Sequence, residues 1–290
     1  MNHIEEKILE FVVKLFPDVF NAIAAYLRAH RNFIDESVAE FDREAQFYFA
    51  WLAYAATFKK TELNFCFPTL SSDEKSTLSR QSFDLALAGR LAREGRPIVC
   101  NDFQLNGKER IIIVTGPNQG GKTTFARTFG QLHFLASVGC QVPGDEARLF
   151  LFDNLFTHFA REEDAISLRG KLQDDLIRIH AILERATSRS VIVLNEIFTS
   201  TTLEDALFLS GKVMKTLYDR DILALWVTFI DELAAANEKT VSMMSTVVPD
   251  DPKTRSFKII RKPADGLSYA LSVATRYRLT YQSLKERINA

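Results

Sequence analysis

Gly116-Pro117-Asn118-Gln119-Gly120-Gly121-Lys122-Thr123 satisfies every fixed position of the pattern G-x-x-x-x-G-K-[ST], directly behind the apolar run Ile111-Ile112-Ile113-Val114. No other feature of the 290 residues constrains the fold as strongly. A glycine-rich turn between a strand and a helix lets successive backbone N–H groups converge on an anion. The helix that follows directs its positive end at the same place. In such a loop Lys122 supplies a mobile charge for the outer phosphates of a nucleoside triphosphate, and the Thr123 hydroxyl is placed for Mg2+. The strand before the loop and the helix-compatible run after it separate this match from a chance one.

The rest of the chain suits that loop. Arg110–Thr115, Arg148–Phe152, Val191–Leu194 and Ile222–Thr228 read as strands, and Gly121–Val138, Leu168–Ala186 and Leu203–Tyr218 as helices between them. Within the second helix Leu168, Leu172, Leu176, Ile179 and Leu183 recur at helical spacing. Fully apolar strands alternating with helices predict a mostly parallel sheet buried on both faces, with right-handed crossovers. Val241–Val248 and Ser256–Ile260 read as two edge strands followed by short helices. Between Asn64 and Phe103 short apolar runs are broken by Pro68, Ser71-Ser72-Asp73 and Gly95, and Ile98-Val99-Cys100 reads as a strand. The expected fold class is an α/β P-loop NTPase with a mostly parallel sheet, preceded by an α-helical hairpin segment.

That helical segment covers residues 1–61, and the α/β domain residues 62–290. Ile4, Ile8, Phe11, Leu15, Val19, Ile23 and Leu27 recur at three- and four-residue steps, with Pro17 as a break. Val38, Phe41, Ala45, Tyr48, Leu52 and Ala55 repeat at close to 3.5 residues. Two long helices packed as an antiparallel hairpin, or a plain helical cap on the next domain, both fit. Phe47, Phe49, Trp51, Tyr54 and Phe58 read as core rather than as a binding stripe.

Composition excludes some classes. A net charge of −1 lacks the basic balance of a dedicated nucleic-acid binder, which leaves a local basic face open. Arg28, Arg31, Arg43, Lys59 and Lys60 read as solvated helix faces. Cys66, Cys100 and Cys140 are far apart and in no ligand-like spacing, which argues for free thiols in a reducing cytosol. No apolar run reaches membrane-spanning length and no signal-like core opens the chain, so a cytoplasmic protein without membrane association is expected.

A phosphate loop needs an acidic partner for the metal and the attacking water. Val191-Ile192-Val193-Leu194 runs into Asn195-Glu196, which makes Glu196 the candidate base or water-positioning carboxylate. The usual order is Asp then Glu, the Asp holding Mg2+ through water. Asn195 keeps the acceptor oxygen and removes a charge.

These residues resemble a family. Thr115–Thr124, T-G-P-N-Q-G-G-K-T-T, looks like the T-G-P-N-M-G-G-K-S-T loop of the MutS family of DNA mismatch-repair ATPases. Val138–Pro143 is similar to its Y-I-G-S-Y-V-P stretch, Leu155–Phe159 to its I-F-T-R strand, and Asn195–Thr202 to its D-E-I-G-R-G-T-S segment. Ser268–Ala274 looks like its C-terminal S-Y-G-L-A-V-A. The resemblance runs from Pro97 to about Leu284, and the helical start resembles the lower lever helices. It implies an ABC/MutS-like fold, ATP and Mg2+ as cofactors, and a composite homodimer with nucleotide between two ATPase faces, acting on DNA as a switch or clamp. It also implies a binding set of Gly116, Pro117, Asn118, Gln119, Gly120, Gly121, Lys122, Thr123 and Thr124. Asn118 would approach the γ-phosphate or the water. Ile98 would lie against adenine where the family commonly has Phe, with Asn101 nearby. Lys122, Asn118 and Glu196 form the implied catalytic set, and Thr123 and Asn195 the metal set.

The same resemblance exposes departures. The family's trans-acting serine falls at Gly170, with Ser167 or Lys171 as substitutes, and its switch histidine falls at Phe229. No segment here matches the family's mismatch-reading N-terminal domain or the nuclease-like extension of some relatives. A naturally short member and a piece of a longer chain both remain open. A nucleotide-binding interaction module with little turnover is the alternative function. A transport- or chromosome-type ATPase would carry an L-S-G-G-Q-like signature before the acidic strand, and none is present.

Overall fold

The computed structural model describes residues 2–159, 170–248, 251–264 and 279–288. The chain forms two compact units, Met1–Ala56 and Thr57–Ala290.

The first unit is helical: α1 His3–Leu15, α2 Pro17–Ala29 and α3 Glu36–Ala56. Asn2 caps α1 in a reciprocal capping box with Glu5. Pro17 ends the first helical pattern by opening α2, the position where its missing N–H costs least. The expected packed hairpin does not close a core. No residue of the three helices is buried, and Ile4, Phe11, Leu15 and Phe41 of the apolar stripes remain exposed. The aromatic cluster read as core is corrected too. Phe47, Phe49 and Tyr54 are exposed and Trp51 is half-buried, whereas Phe58, in the second unit, is buried against Phe65 and Phe83. Helical periodicity marks a stripe that wants a partner, and the 56 residues of this unit do not supply one.

The second unit is α/β. Its main sheet has the order β12-β11-β5-β10-β9-β8, with β5 Ile111–Thr115, β8 Leu155–His158, β9 Val191–Asn195, β10 Leu223–Val227, β11 Thr240–Val248 and β12 Asp251–Arg261. All neighbours are parallel except β11 and β12. The β-branched strands β5 and β9 and the apolar β10 are buried along their whole length. The helices α5 Lys122–Ser137, α6 Lys171–Arg185 and α7 Leu203–Asp219 connect these strands. Trp226, Ile192, Leu194 and Ile113 pack with Ile179 of α6 and Val213, Met214 and Leu217 of α7 in one apolar cluster. A final helix, α8, spans Tyr281–Ile288.

A second sheet has the order β2-β7-β3-β4, formed by β2 Thr69–Ser71, β3 Thr77–Ser82, β4 Asn101–Leu105 and β7 Glu146–Phe150. The short strands β1 Phe65–Cys66 and β6 Val142–Pro143 pair with each other, and α4 Leu85–Arg93 follows β3.

Three sequence expectations are corrected here. The apolar run at Arg148–Phe152 joins the second sheet as β7, not the parallel core, because an apolar segment carries no mark of its partner strand. Ile98-Val99-Cys100 is not a strand; β4 begins at Asn101. Thr240–Val248 is not an edge strand, since β11 lies between β5 and β12 and it is β12 that borders the sheet on that side.

Candidate nucleotide site

Strand order prepares the site. Val227 of β10 pairs with Val114 of β5 on one side and with Asn195 of β9 on the other, so the carboxyl ends of three parallel strands end level. The chain leaves β5 through α5, forms β8 at the far edge, and returns through β9 and β10 to lie beside β5 again. Open α/β sheets bind ligands outside strand ends at such a reversal.

The loop after β5 depends on its glycines. Gly116 has φ +108°, and a Cβ there would stand 2.7 Å from the backbone oxygen of Ser245 on β11. Ser245 is fully buried and its Oγ donates to the Gly120 carbonyl at 2.8 Å, bracing the loop from the neighbouring strand. Gly121, at φ +92°, occupies the cap position of α5 without a side-chain cap, which leaves the first N–H groups of the helix facing the loop. Lys122 is only 4% exposed. Its Nζ donates to the carbonyls of Gly116 at 2.9 Å and Pro117 at 3.1 Å, and the Phe229 ring centroid lies 4.4 Å away. Burial lowers the ammonium's pKa; Glu196 opposes this, and Arg255 adds to it. Lys122 thus folds back onto its own loop.

Asn118, Gln119, Gly120, Gly121, Lys122, Thr123, Thr124, Ile98, Asn101 and Glu196 all line one cavity of about 420 Å³. Gly116 and Pro117 do not line it; their carbonyls accept from Lys122, which does. Thr123 Oγ1 donates to Asn195 Oδ1 at 3.0 Å, so the two implied metal-side residues face each other with hard oxygen atoms. Such a pair suits a cation that keeps most of its shell as water and phosphate. Among the described residues no cluster of three or more His, Cys, Asp or Glu is placed to hold a metal. The Asn101 amide is engaged elsewhere, donating to Phe257 O at 3.1 Å and accepting from Ile259 N at 2.7 Å. Ile98 is half-buried and packs against the cluster of Phe58, Phe83 and Ala88.

Glu196 follows β9 with φ +54°, and its N–H donates to Val227 O at 2.9 Å. Gly170 is the cap of α6, and the Lys171 ammonium donates to Thr199 Oγ1 at 3.1 Å. Ser167 and the Ser268–Ala274 segment lie outside the described residues.

Sequence reasoning missed three residues at the cavity. Ser245 braces the loop, Arg255 Nε donates to Asn118 O at 3.0 Å, and Phe257 lines the cavity beside Gly121 with φ +58°. All three belong to β11 or β12, more than 120 residues from the loop, and no local pattern marks them.

A family profile described as MutS domain V matches residues 112–286. The DNA mismatch repair protein MutS of Chlorobaculum tepidum is 30% identical over 219 residues, 73% of this chain and 24% of that protein. The protein of the same name from Chlorobium phaeovibrioides is 27% identical over 281 residues, 93% of this chain and 31% of its own length. That from Lactobacillus helveticus is 31% identical over 191 residues, 64% and 22% of the two chains. The chain thus spans between about a fifth and a third of the length of these curated relatives. Among the described residues no helix is long and apolar enough to cross a membrane.

Proposed function

The chain belongs to the MutS family through domain V, and from that premise we propose that it binds Mg·ATP in the loop of Gly116–Thr124 and hydrolyses it slowly with Glu196. The fold is read as a P-loop NTPase. The observation that carries this reading is the bond between Thr123 and Asn195, which brings the start of α5 and the end of β9 to one point beside the glycine loop. Glu196 lines the same cavity. Backbone N–H groups, Lys122 and the α5 N-terminus hold the phosphates, Thr123 and Asn195 serve the Mg2+ side, and Glu196 orients or activates the attacking water. Ile98 and Phe257 flank the space left for the base. Slow turnover follows from the residues at Asn195, Gly170 and Phe229. One missing transition-state donor is worth roughly 10² to 10³ in rate.

In this reading a second copy completes the γ-phosphate shell, the helices of residues 1–61 form a lever base, and the domain couples nucleotide state to action on DNA. Three measurements test it together: ATP titration, single-turnover hydrolysis, and sedimentation with and without ATP. Glu196→Gln is expected to bind ATP, fail to hydrolyse it and accumulate as a dimer. Turnover unchanged by Glu196→Gln would remove the catalytic assignment. A monomer at every ATP concentration, for both forms, would remove the composite dimer. DNA action is tested by anisotropy on duplex, branched and mismatched DNA with and without ATP; equal affinity in all six conditions would sink it.

A further inference from the structure

The turn that carries Glu196 is held in an unfavourable backbone conformation. Glu196 has φ +54° and Phe198 φ +59°, in the left-handed region that side chains larger than Asn or Asp seldom enter. Such conformations persist only where surrounding contacts over-determine them. Ile197 and Phe198 are 3% and 2% exposed, seated in the apolar cluster under α6 and α7. Apolar packing is non-directional and leaves the peptide orientation undecided. At Phe198 a side-chain contact orients it: Asp175 Oδ2 of α6 accepts from Phe198 N at 3.0 Å. The other oxygen of that carboxylate, Oδ1, lies 3.1 Å from His158 Nε2 at the end of β8. Both side chains are almost fully buried, at 6% and 1% exposure. Burial raises the Asp175 pKa, but the contacts from His158 and Phe198 N outweigh it and keep the carboxyl below its ordinary value. An ionised acceptor binds an N–H about twice as strongly as a neutral one.

We infer that Asp175, braced by His158, is a positioning residue for hydrolysis: it clamps the Phe198 peptide and thereby aims the Glu196 carboxylate at the attacking water. This rests on the reading of Glu196 given above. The carboxylate touches no part of the nucleotide cavity, so its effect reaches the reaction only through the geometry of the Asn195–Phe198 turn. Displacement of a catalytic group by about 1 Å is worth up to about 10² in rate. Phosphate binding, which depends on the Gly116–Lys122 loop across the sheet end, is left intact.

The test compares single-turnover hydrolysis and ATP affinity in wild type, Asp175→Ala, Asp175→Asn and Glu196→Gln, with thermal melting of each. Asp175→Ala is expected to lose about tenfold to a hundredfold in hydrolysis rate with ATP affinity within about twofold. Asp175→Asn still offers an oxygen to Phe198 N and is expected to recover most of that loss. Should Asp175→Ala not fold, His158→Leu, which removes the brace, is expected to slow hydrolysis severalfold at unchanged affinity, and His158→Gln to restore it. A hydrolysis rate unaffected by Asp175→Ala, or by His158→Leu in its place, would overturn the inference while Glu196→Gln still abolishes turnover. So would equal losses in rate and affinity, the mark of general destabilisation. If Glu196→Gln itself hydrolyses at the wild-type rate, the functional reading falls, and the inference with it.

Discussion

Thr123 Oγ1 and Asn195 Oδ1 lie 3.0 Å apart, across 72 residues of sequence, joining the first turn of α5 to the last residue of β9. This bond ties the start of α5 to the end of β9, where the proposed function seats Mg2+. An aspartate at 195 would accept the same bond with a full charge, and charge-assisted bonds are about twice as strong as neutral ones. Asn195→Asp is therefore expected to lower the Mg2+ concentration for half-maximal hydrolysis by a few-fold and to raise turnover modestly. A Mg2+ titration with the same midpoint in both forms would show that residue 195 does not serve the metal.

Lys122 is enclosed, with Gly116 and Pro117 carbonyls on its ammonium. Lys122→Ala is expected to weaken ATP binding by roughly tenfold to a hundredfold, the worth of a hydrogen bond to a charged group. Two loop carbonyls also lose their donor, so melting is expected to fall by about 2–4 °C, the shift of a 1 kcal/mol loss in a unit of this size. Calorimetry reads both. Unchanged affinity would unseat the phosphate site.

Phe229 stacks on that ammonium at 4.4 Å while its ring is half exposed. Two carbonyls and an aromatic face satisfy the lysine, and in the proposed function phosphate binding must break part of that arrangement. An exposed cation–π contact is worth about 0.5–1 kcal/mol. Phe229→Ala is expected to bind ATP about two- to fivefold more tightly, by that same energy. Phe229→His, by placing a donor beside the γ-phosphate, is expected to raise hydrolysis. Looser binding by Phe229→Ala would show that the ring supports the bound state instead.

His133 is buried in α5, with Nδ1 against Phe129 O at 2.8 Å. Burial pushes its pKa down to about 4 despite that bond. The unfolded chain takes up this proton near the ordinary 6.5 and the folded one only near 4, so protonation favours unfolding. Stability is expected to fall as pH drops from about 6.5 to about 4, by on the order of 3 kcal/mol, and to level off below. The Asp221 carboxylate, burial opposed by Lys75 and Arg110, has its pKa held at about 2, so its contribution is lost only below about 4, outside that window. Urea midpoints at pH 7 and 4.5 measure the slope, and His133→Gln is expected to flatten it. An equal slope in the variant would place the acid sensitivity elsewhere.

The loop and its two flanking elements were legible because their requirements are local. Gly116, Gly120 and Gly121 answer to backbone geometry, and Ile111–Val114 and Val191–Leu194 announce buried parallel strands by apolar content alone. Asn195-Glu196 was legible for the same reason, as the polar end of such a strand. What is set by pairing at a distance was not legible. An apolar run does not encode its neighbour, so Glu146–Phe150 entered the second sheet and Thr240–Val248 took an inner position. An apolar helical stripe does not guarantee a partner, so α1–α3 keep theirs exposed. The tertiary structure alone decided that Ser245 braces Gly120, that Phe257 and Arg255 reach the loop, and that Asp175 holds the Glu196 turn. Sequence by itself determined which backbone forms the glycine turn, the proposed phosphate cradle. The close approach of strands far apart in the chain decided which side chains hold that cradle in shape.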